Sequence, residues 1–141
     1  MIVLPDVNTL IAIAWPSHRH HAAAAQWFRT AAVSGWATTS VTESAFVRLS
    51  MNAAVVPRPT TAGEAIALIN RLRQFGTHVF WADDTEAADL GDIAPFIQGY
   101  RQVTDAHLLV LAGRRNGAVA TLDTGFTQLG QHSAGSVVNI I

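Results

Sequence analysis

Apolar and polar positions alternate along this chain on two scales, and the two scales predict two kinds of element. Short apolar runs predict strands at residues 2–4, 36–38, 77–81, 118–122 and 137–141. Longer stretches with apolar residues at helical spacing predict helices at 9–14, 18–33, 41–50, 62–75, 85–97 and 105–116. Gly76, and Asn116 with Gly117, stand where helix C-terminal caps belong. Strands and helices alternate, so the pattern implies an α/β sandwich around a mainly parallel five-stranded sheet. No linker, repeat or low-complexity run interrupts the pattern, and one domain over residues 1–141 is expected.

In such sheets ligands bind beyond the carboxyl ends of the strands, where strand order reverses. The polar residues at those ends are therefore the candidate chemistry. Asp6, in "LPDVNTLIA", directly follows the first strand and is flanked by apolar runs, where an unpaired carboxylate is costly to desolvate. Asp123, in "VATLDTGF", directly follows the fourth strand. Glu43, in "TTSVTESAF", and Asp105, in "VTDAHLLVLAG", fall at the starts of helices. Parallel strands bring Asp6 and Asp123 to one edge, and the two helix-start residues can close over it.

Each residue also has a purely structural reading. Ser40 to Glu43 spells a capping box, in which Glu43 bonds back to the Ser40 backbone. Asp105, Asp6 and Asn8 suit helix caps or first-turn charge, and Asp123 with Thr124 and Gly125 suits a turn. All four structural readings must hold together in a chain with ten acidic residues. Two carboxylates about 4 Å apart repel by roughly 4 kcal/mol at an effective dielectric near 20. Four that converge need a cation or shared protons. All-oxygen ligation points to a hard ion, magnesium or manganese, and so to nuclease or phosphatase chemistry.

Composition narrows the picture. Half of the 141 residues are hydrophobic and 13% are charged, as in a globular domain. No apolar run is long enough to cross a bilayer, and no basic n-region or small-residue cleavage site marks a signal peptide, so a cytoplasmic protein is expected. Cysteine is absent, which excludes disulfides, thiolate zinc sites and cysteine nucleophiles. Lysine is absent too, which excludes a P-loop lysine and Schiff-base chemistry.

The four acidic segments, in this order and spacing, resemble the four acidic motifs of PIN-domain nucleases, and more narrowly the VapC toxins of VapBC toxin–antitoxin systems. The resemblance covers essentially the whole chain. It implies a magnesium-dependent endoribonuclease, manganese being a possible substitute, that cuts tRNA or rRNA by metal-activated water and inhibits translation. It puts Asp6, Glu43, Asp105 and Asp123 in the acidic site as catalytic residues and metal ligands. Asp6 and Asp105 are the direct ligands in this scheme, and Glu43 and Asp123 act partly through water or hold a second ion. Asn8 and Thr121 match supporting polar positions. The resemblance further implies a PIN-like three-layer α/β/α sandwich with strand order 3-2-1-4-5, a homodimer, and a VapB antitoxin whose C-terminal segment blocks the site.

The net charge of −1 argues at first against nucleic acid. With the four site carboxylates set aside, six acidic residues face nine arginines, a balance of +3. Arg48, Arg114 and Arg115 are candidate phosphate contacts, against the plainer reading of solvated helix faces. His18, His20 and His21 fit no standard zinc spacing and read as a solvated helix start. His107, two positions after Asp105, faces another side of its helix. Asp83 and Asp84 read as a turn into an acidic helix start. Trp15, Trp27, Phe28 and Trp36 read as core, with a possible dimer or antitoxin face among them. Rival functions are a haloacid-dehalogenase-type phosphatase, since "DVNTL" is similar to that family's nucleophile loop, a phospho-receiver domain, and a non-catalytic PIN-like module binding RNA or a partner. The first two want a lysine this chain lacks, and Asn8 stands where the phosphatase has a second Asp.

Overall fold

Val3, Leu4 and Pro5 stand in parallel register against Ala118, Val119 and Ala120, and this pair forms the centre of a five-stranded sheet. The computed structural model describes residues 1–141. Its elements run β1 (Val3–Pro5), α1 (Val7–Ala14), α2 (His21–Ser34), β2 (Trp36–Thr39), α3 (Ser40–Ser50), α4 (Ala62–Leu72), β3 (His78–Trp81), α5 (Val103–Arg114), β4 (Ala118–Thr121), α6 (Thr124–Gly130) and β5 (Ser136–Asn139). All strand pairs are parallel, in the order β3-β2-β1-β4-β5. The expected strand order 3-2-1-4-5 is thus observed.

Successive strand residues point to opposite faces, so each strand feeds two cores. Ala37 joins Leu4, Trp81 and Val119 against Leu108, Leu109 and Ala112 of α5 and Phe126 of α6. Its neighbour Trp36 joins the other core, with Leu10 and Ile11 of α1, Phe28 of α2, Phe46 of α3 and Ile69 of α4. Trp36 buries its ring edge-on to Phe28 and donates its indole N–H to the Phe75 carbonyl at 2.8 Å. The result is three layers, with α1 to α4 on one side of the sheet and α5 and α6 on the other.

Two expected stretches differ. Residues 85–97 do not form one helix; they form short 3-10 turns at Ala87–Leu90 and Ala94–Phe96, followed by another at Tyr100–Gln102. Gly91 and Pro95 break the run, and Leu90 and Ile93 are buried all the same. Thr124 and Gly125, which suit a turn after Asp123, instead open α6 over Thr124–Gly130, because Phe126 and Leu129 at helical spacing bury one face and Asp123 caps the start. Helix α2 begins at His21 rather than His18. Helix α4 ends at Leu72, and Gly76 sits four residues further on, in the turn into β3.

Gly76 has φ +63°, and a Cβ there would lie 2.4 Å from the Ala32 carbonyl oxygen. Both the left-handed backbone and the close approach to α2 require glycine. Gly76→Ala should therefore cost more than about 1 kcal/mol in denaturant unfolding. Gly63, inside α4 with nothing within 4 Å of its would-be Cβ, gives the opposite sign: Gly63→Ala should gain about 0.5 kcal/mol. Equal midpoints for the two variants would contradict this account.

Candidate active site

The site is built from the ends of β1 and β4. Asp6 follows β1, donates its backbone N–H to the Ala120 carbonyl, and begins α1 as its N-cap. One carboxylate oxygen, Oδ1, accepts the Thr9 backbone N–H at 2.9 Å. The other, Oδ2, accepts the Thr121 hydroxyl at 2.7 Å. Thr121, the last residue of β4, also accepts the Asp123 backbone N–H at 3.0 Å and so joins the two acids. Of the two polar positions that the resemblance implies as supports, Asn8 and Thr121, only Thr121 bonds to the acids. Asp6 is only 8% exposed. Burial drives its carboxyl above the ordinary range, against the pull of the Thr9 and Thr121 hydrogen bonds.

Asp123 is exposed at the cleft mouth and caps α6, its Oδ1 accepting the Gly125 N–H at 2.9 Å. Asp105, in the first turn of α5, is pushed up to about 7, first by burial and then by the charges of Asp6 and Asp123. Asp6, Asp105 and Asp123 line one cleft of about 210 Å³ together with Asn8, Thr104 and Arg101.

Of the four expected acids, Glu43 is the one that does not line this cleft. Helix α3 starts one residue earlier than the sequence suggested. Its capping box pairs Thr39 with Thr42, the Thr39 N–H donating to the Thr42 hydroxyl at 3.1 Å, rather than Ser40 with Glu43. Val41, Thr42 and Ala45 then face the cleft. Glu43, about 100° round the helix from Thr42, turns towards β2 and β3. There its carboxylate accepts the Thr38 hydroxyl and lies 3.2 Å from the Arg73 guanidinium. Thr38 in turn accepts from His78 Nε2 at 2.8 Å, because its own proton goes to Glu43. Burial, then Arg73, lowers His78 to about 4 against the opposing charge of Glu43, so its imidazole is neutral.

Apart from Arg48, the other candidates have structural partners. Arg114 pairs with Asp89 at 2.7 Å, and Arg115 donates to the Ala82 carbonyl, so both serve the far end of α5 rather than the cleft. Arg48 is exposed and outside the cleft lining. His18 Nε2 meets Asn8 Oδ1 at 3.0 Å, and His21 Nδ1 meets the Ala12 carbonyl at 2.7 Å, so these histidines fasten the turn before α2 onto α1. His107 pairs with Asp83 at 2.5 Å. Burial would raise Asp83, but the His107 and Thr85 bonds outweigh it and hold the carboxyl low. Arg101 is the cleft residue that sequence reasoning missed. Its one signal is position, four residues before Asp105.

No group of three or more acidic or histidine side chains is drawn together closely enough to cage an ion. A small hard cation does not need a cage: magnesium takes one or two carboxylates and completes its shell with water and phosphate oxygens. The donor set fits it, since the cleft offers carboxylate oxygens and no sulfur or imidazole. Burial first, and neighbouring negative charge second, raise the carboxyls of Asp6 and Asp105, and a positive charge between them is favoured.

Ribonuclease VapC38 of Mycobacterium tuberculosis is 45% identical to this chain over 140 residues, covering 99% of the chain and 98% of the relative. Ribonuclease VapC39 of the same organism is 43% identical over 125 residues, covering 87% and 89%. Ribonuclease VapC29 is 37% identical over 129 residues, covering 92% and 91%. No protein-family model matches the chain. Among solved structures, FitAB bound to an IR36 DNA fragment superposes with TM-score 0.66 at 19% identity, over 99% of this chain and 94% of that one. VapBC2 from Rickettsia felis bound to promoter DNA gives 0.65 at 11%, over 99% and 98%. At those identities the likeness is one of fold.

Asp105 carries a pH signature. Its folded pKa is raised, so its contribution to stability is present below pH 4 and is lost as pH rises through about 7. With divalent ions chelated, Asp105→Asn should melt above the unsubstituted chain at pH 8, and the gap should close towards pH 4. A gap independent of pH would show that Asp105 is not the strained group.

Proposed function

The chain belongs to the VapC family of ribonucleases, and from that membership we propose that it is the toxin of a VapBC-type pair, an endoribonuclease hydrolysing phosphodiester bonds in RNA. The observation that carries the reading is the convergence of Asp6, Asp105 and Asp123 beyond the carboxyl ends of β1 and β4. Magnesium, with manganese as a substitute, is the cofactor in this reading, held by Asp6 and Asp105 with Asp123 at the margin. When bound, such an ion stabilises negative charge on a phosphodiester and acidifies water.

The chain's own residues have separable tasks. Asp6 is a fixed point, since both its oxygens are already oriented by Thr9 and Thr121. Asp105 takes no hydrogen bond among the influences on its carboxyl. It is thus free to turn towards an ion or to take a proton near neutral pH. Asp123 has one oxygen on the Gly125 N–H and can offer the other to the cleft mouth. Arg101, lining the same cleft, is the cation available to a phosphate oxygen. Glu43 acts at a distance, as the charge that fixes Arg73 and Thr38 beside the cleft.

The partners that belong to this reading are an RNA substrate, tRNA or rRNA, and a VapB-type antitoxin, with the toxin itself a homodimer. Its place is the cytoplasm, where translation runs. No helix is long and apolar enough to cross a membrane.

Purified protein should cut RNA with magnesium or manganese and stop on addition of EDTA. Asp6→Asn or Asp105→Asn should lower the rate at least a hundredfold with the circular dichroism spectrum unchanged. Glu43→Gln should retain most of the activity lost in those two. Undiminished cutting by Asp105→Asn would overturn the site, and no cutting by the unsubstituted chain would leave an RNA- or partner-binding module instead.

A further inference from the structure

A second groove, of about 490 Å³, lies beside the carboxylate cleft. It is the size of a small-molecule site, and its lining carries no acid and no arginine. Four of its residues are glutamines, at positions 98, 102, 128 and 131. Phe96 and His132 stand in it as a parallel pair, ring centroids 3.6 Å apart and planes within 1°. Phe96 is 44% exposed, an apolar ring left in water at the edge of a polar groove.

The groove and the cleft share a wall. Gly125 lines the groove, and its N–H is the one that Asp123 accepts. Gln102, three residues before Asp105, takes the Gln98 N–H on its amide oxygen at 2.8 Å. Its NH2 group points towards Gly125, 3.9 Å from where a Cβ would sit.

We propose that this groove is a nucleobase subsite, holding one unpaired base of the RNA whose phosphodiester lies in the carboxylate cleft. The proposal rests on the ribonuclease reading above. Base edges display donors and acceptors together, and amide side chains pair with both, whereas a phosphate would call for cations that the lining lacks. Aromatic faces stack on any base, and single-stranded RNA is read in this way. The shared wall sets the distance: a base in the groove flanks a phosphate beside Asp123 without a turn of the strand between them.

The test is RNA binding by the full chain carrying Asp105→Asn, a substitution chosen to keep the RNA uncut during the measurement. Fluorescence anisotropy reads single-stranded octamers with one abasic nucleotide moved along the strand. One abasic position should weaken binding about tenfold. Phe96→Leu, which keeps an apolar side chain without the ring, should weaken binding of intact RNA to a similar degree and lose the sensitivity at that position. Gln128→Ala with Gln131→Ala should shift which base is preferred there, and Phe96→Tyr should restore affinity. Abasic positions that are all equivalent would overturn the subsite, as would groove variants that bind RNA like their parent and lose affinity for an antitoxin peptide alone. Cutting by the unsubstituted chain, measured separately, distinguishes the two readings. RNA cut with no base dependence refutes the subsite, base-dependent binding with no cutting refutes the ribonuclease, and no RNA binding together with no cutting refutes both.

Discussion

The buried carboxylate of Asp6 is the constraint around which the molecule is arranged. A charge that is nearly sealed from water is expensive unless donors meet it. The chain supplies two, from different elements. The Thr9 N–H is one of the orphan donors at the start of α1, and the Thr121 hydroxyl comes from the end of β4. Satisfying one carboxylate therefore fixes α1 against β1 and β1 against β4, the central strand pair. The same bonds keep Thr121 where it can hold the Asp123 backbone. Even so, burial wins, and the carboxyl stays raised. The fold holds Asp6 in position without relieving its demand for a cation.

That tension spreads to Asp105, whose raised pKa comes from the same burial and from the charges of Asp6 and Asp123. Glu43 shows the contrast. It lies near the same sheet edge but has a full guanidinium and a hydroxyl of its own, in Arg73 and Thr38. Two acidic environments thus sit on either side of α3. One is neutralised within the protein, and the other is left for an outside positive charge. A site that must bind an ion, and let it engage substrate, gains from the second arrangement.

Much of this was legible in the sequence, and the parts that were not have common causes. The sheet was readable because short apolar runs such as "AVAT" and "WATT" leave few alternatives. Asp6 and Asp123 were readable because each directly follows a strand, so β periodicity fixes their edge. At Glu43 the sequence left the helix phase open by one residue. "TTSVTE" contains two overlapping capping boxes, and only tertiary packing chooses Thr39 with Thr42 over Ser40 with Glu43. The stretch 85–97 carries apolar residues at helical spacing, yet Gly91 and Pro95 within it break the helix into short turns. Helix α6 was missed because a seven-residue helix opening on Thr-Gly looks like a turn until Phe126 and Leu129 are seen buried. Arg101 was invisible because its partner is a shape, not a spacing: the irregular turns before α5 carry it into the cleft.

Charge placement ties recognition to this same edge. The chain has nine arginines and a net charge of −1, and several arginines are spent inside the protein. Arg73 holds Glu43, Arg114 holds Asp89, and Arg115 holds the Ala82 carbonyl. Only Arg101 lines the cleft. Such a surface offers weak long-range steering to a polyanion, so little affinity comes from counterion release alone. In the proposed reading, attraction to RNA arises at contact, from an ion held by the cleft carboxylates and from uncharged groups that touch bases. Contact-dominated binding favours selectivity, because bases differ at their edges and phosphates do not. With Arg101 the one arginine in the cleft and Asp6 buried beside it, most of the positive charge that the proposed chemistry needs has to come from a bound cation rather than from the chain.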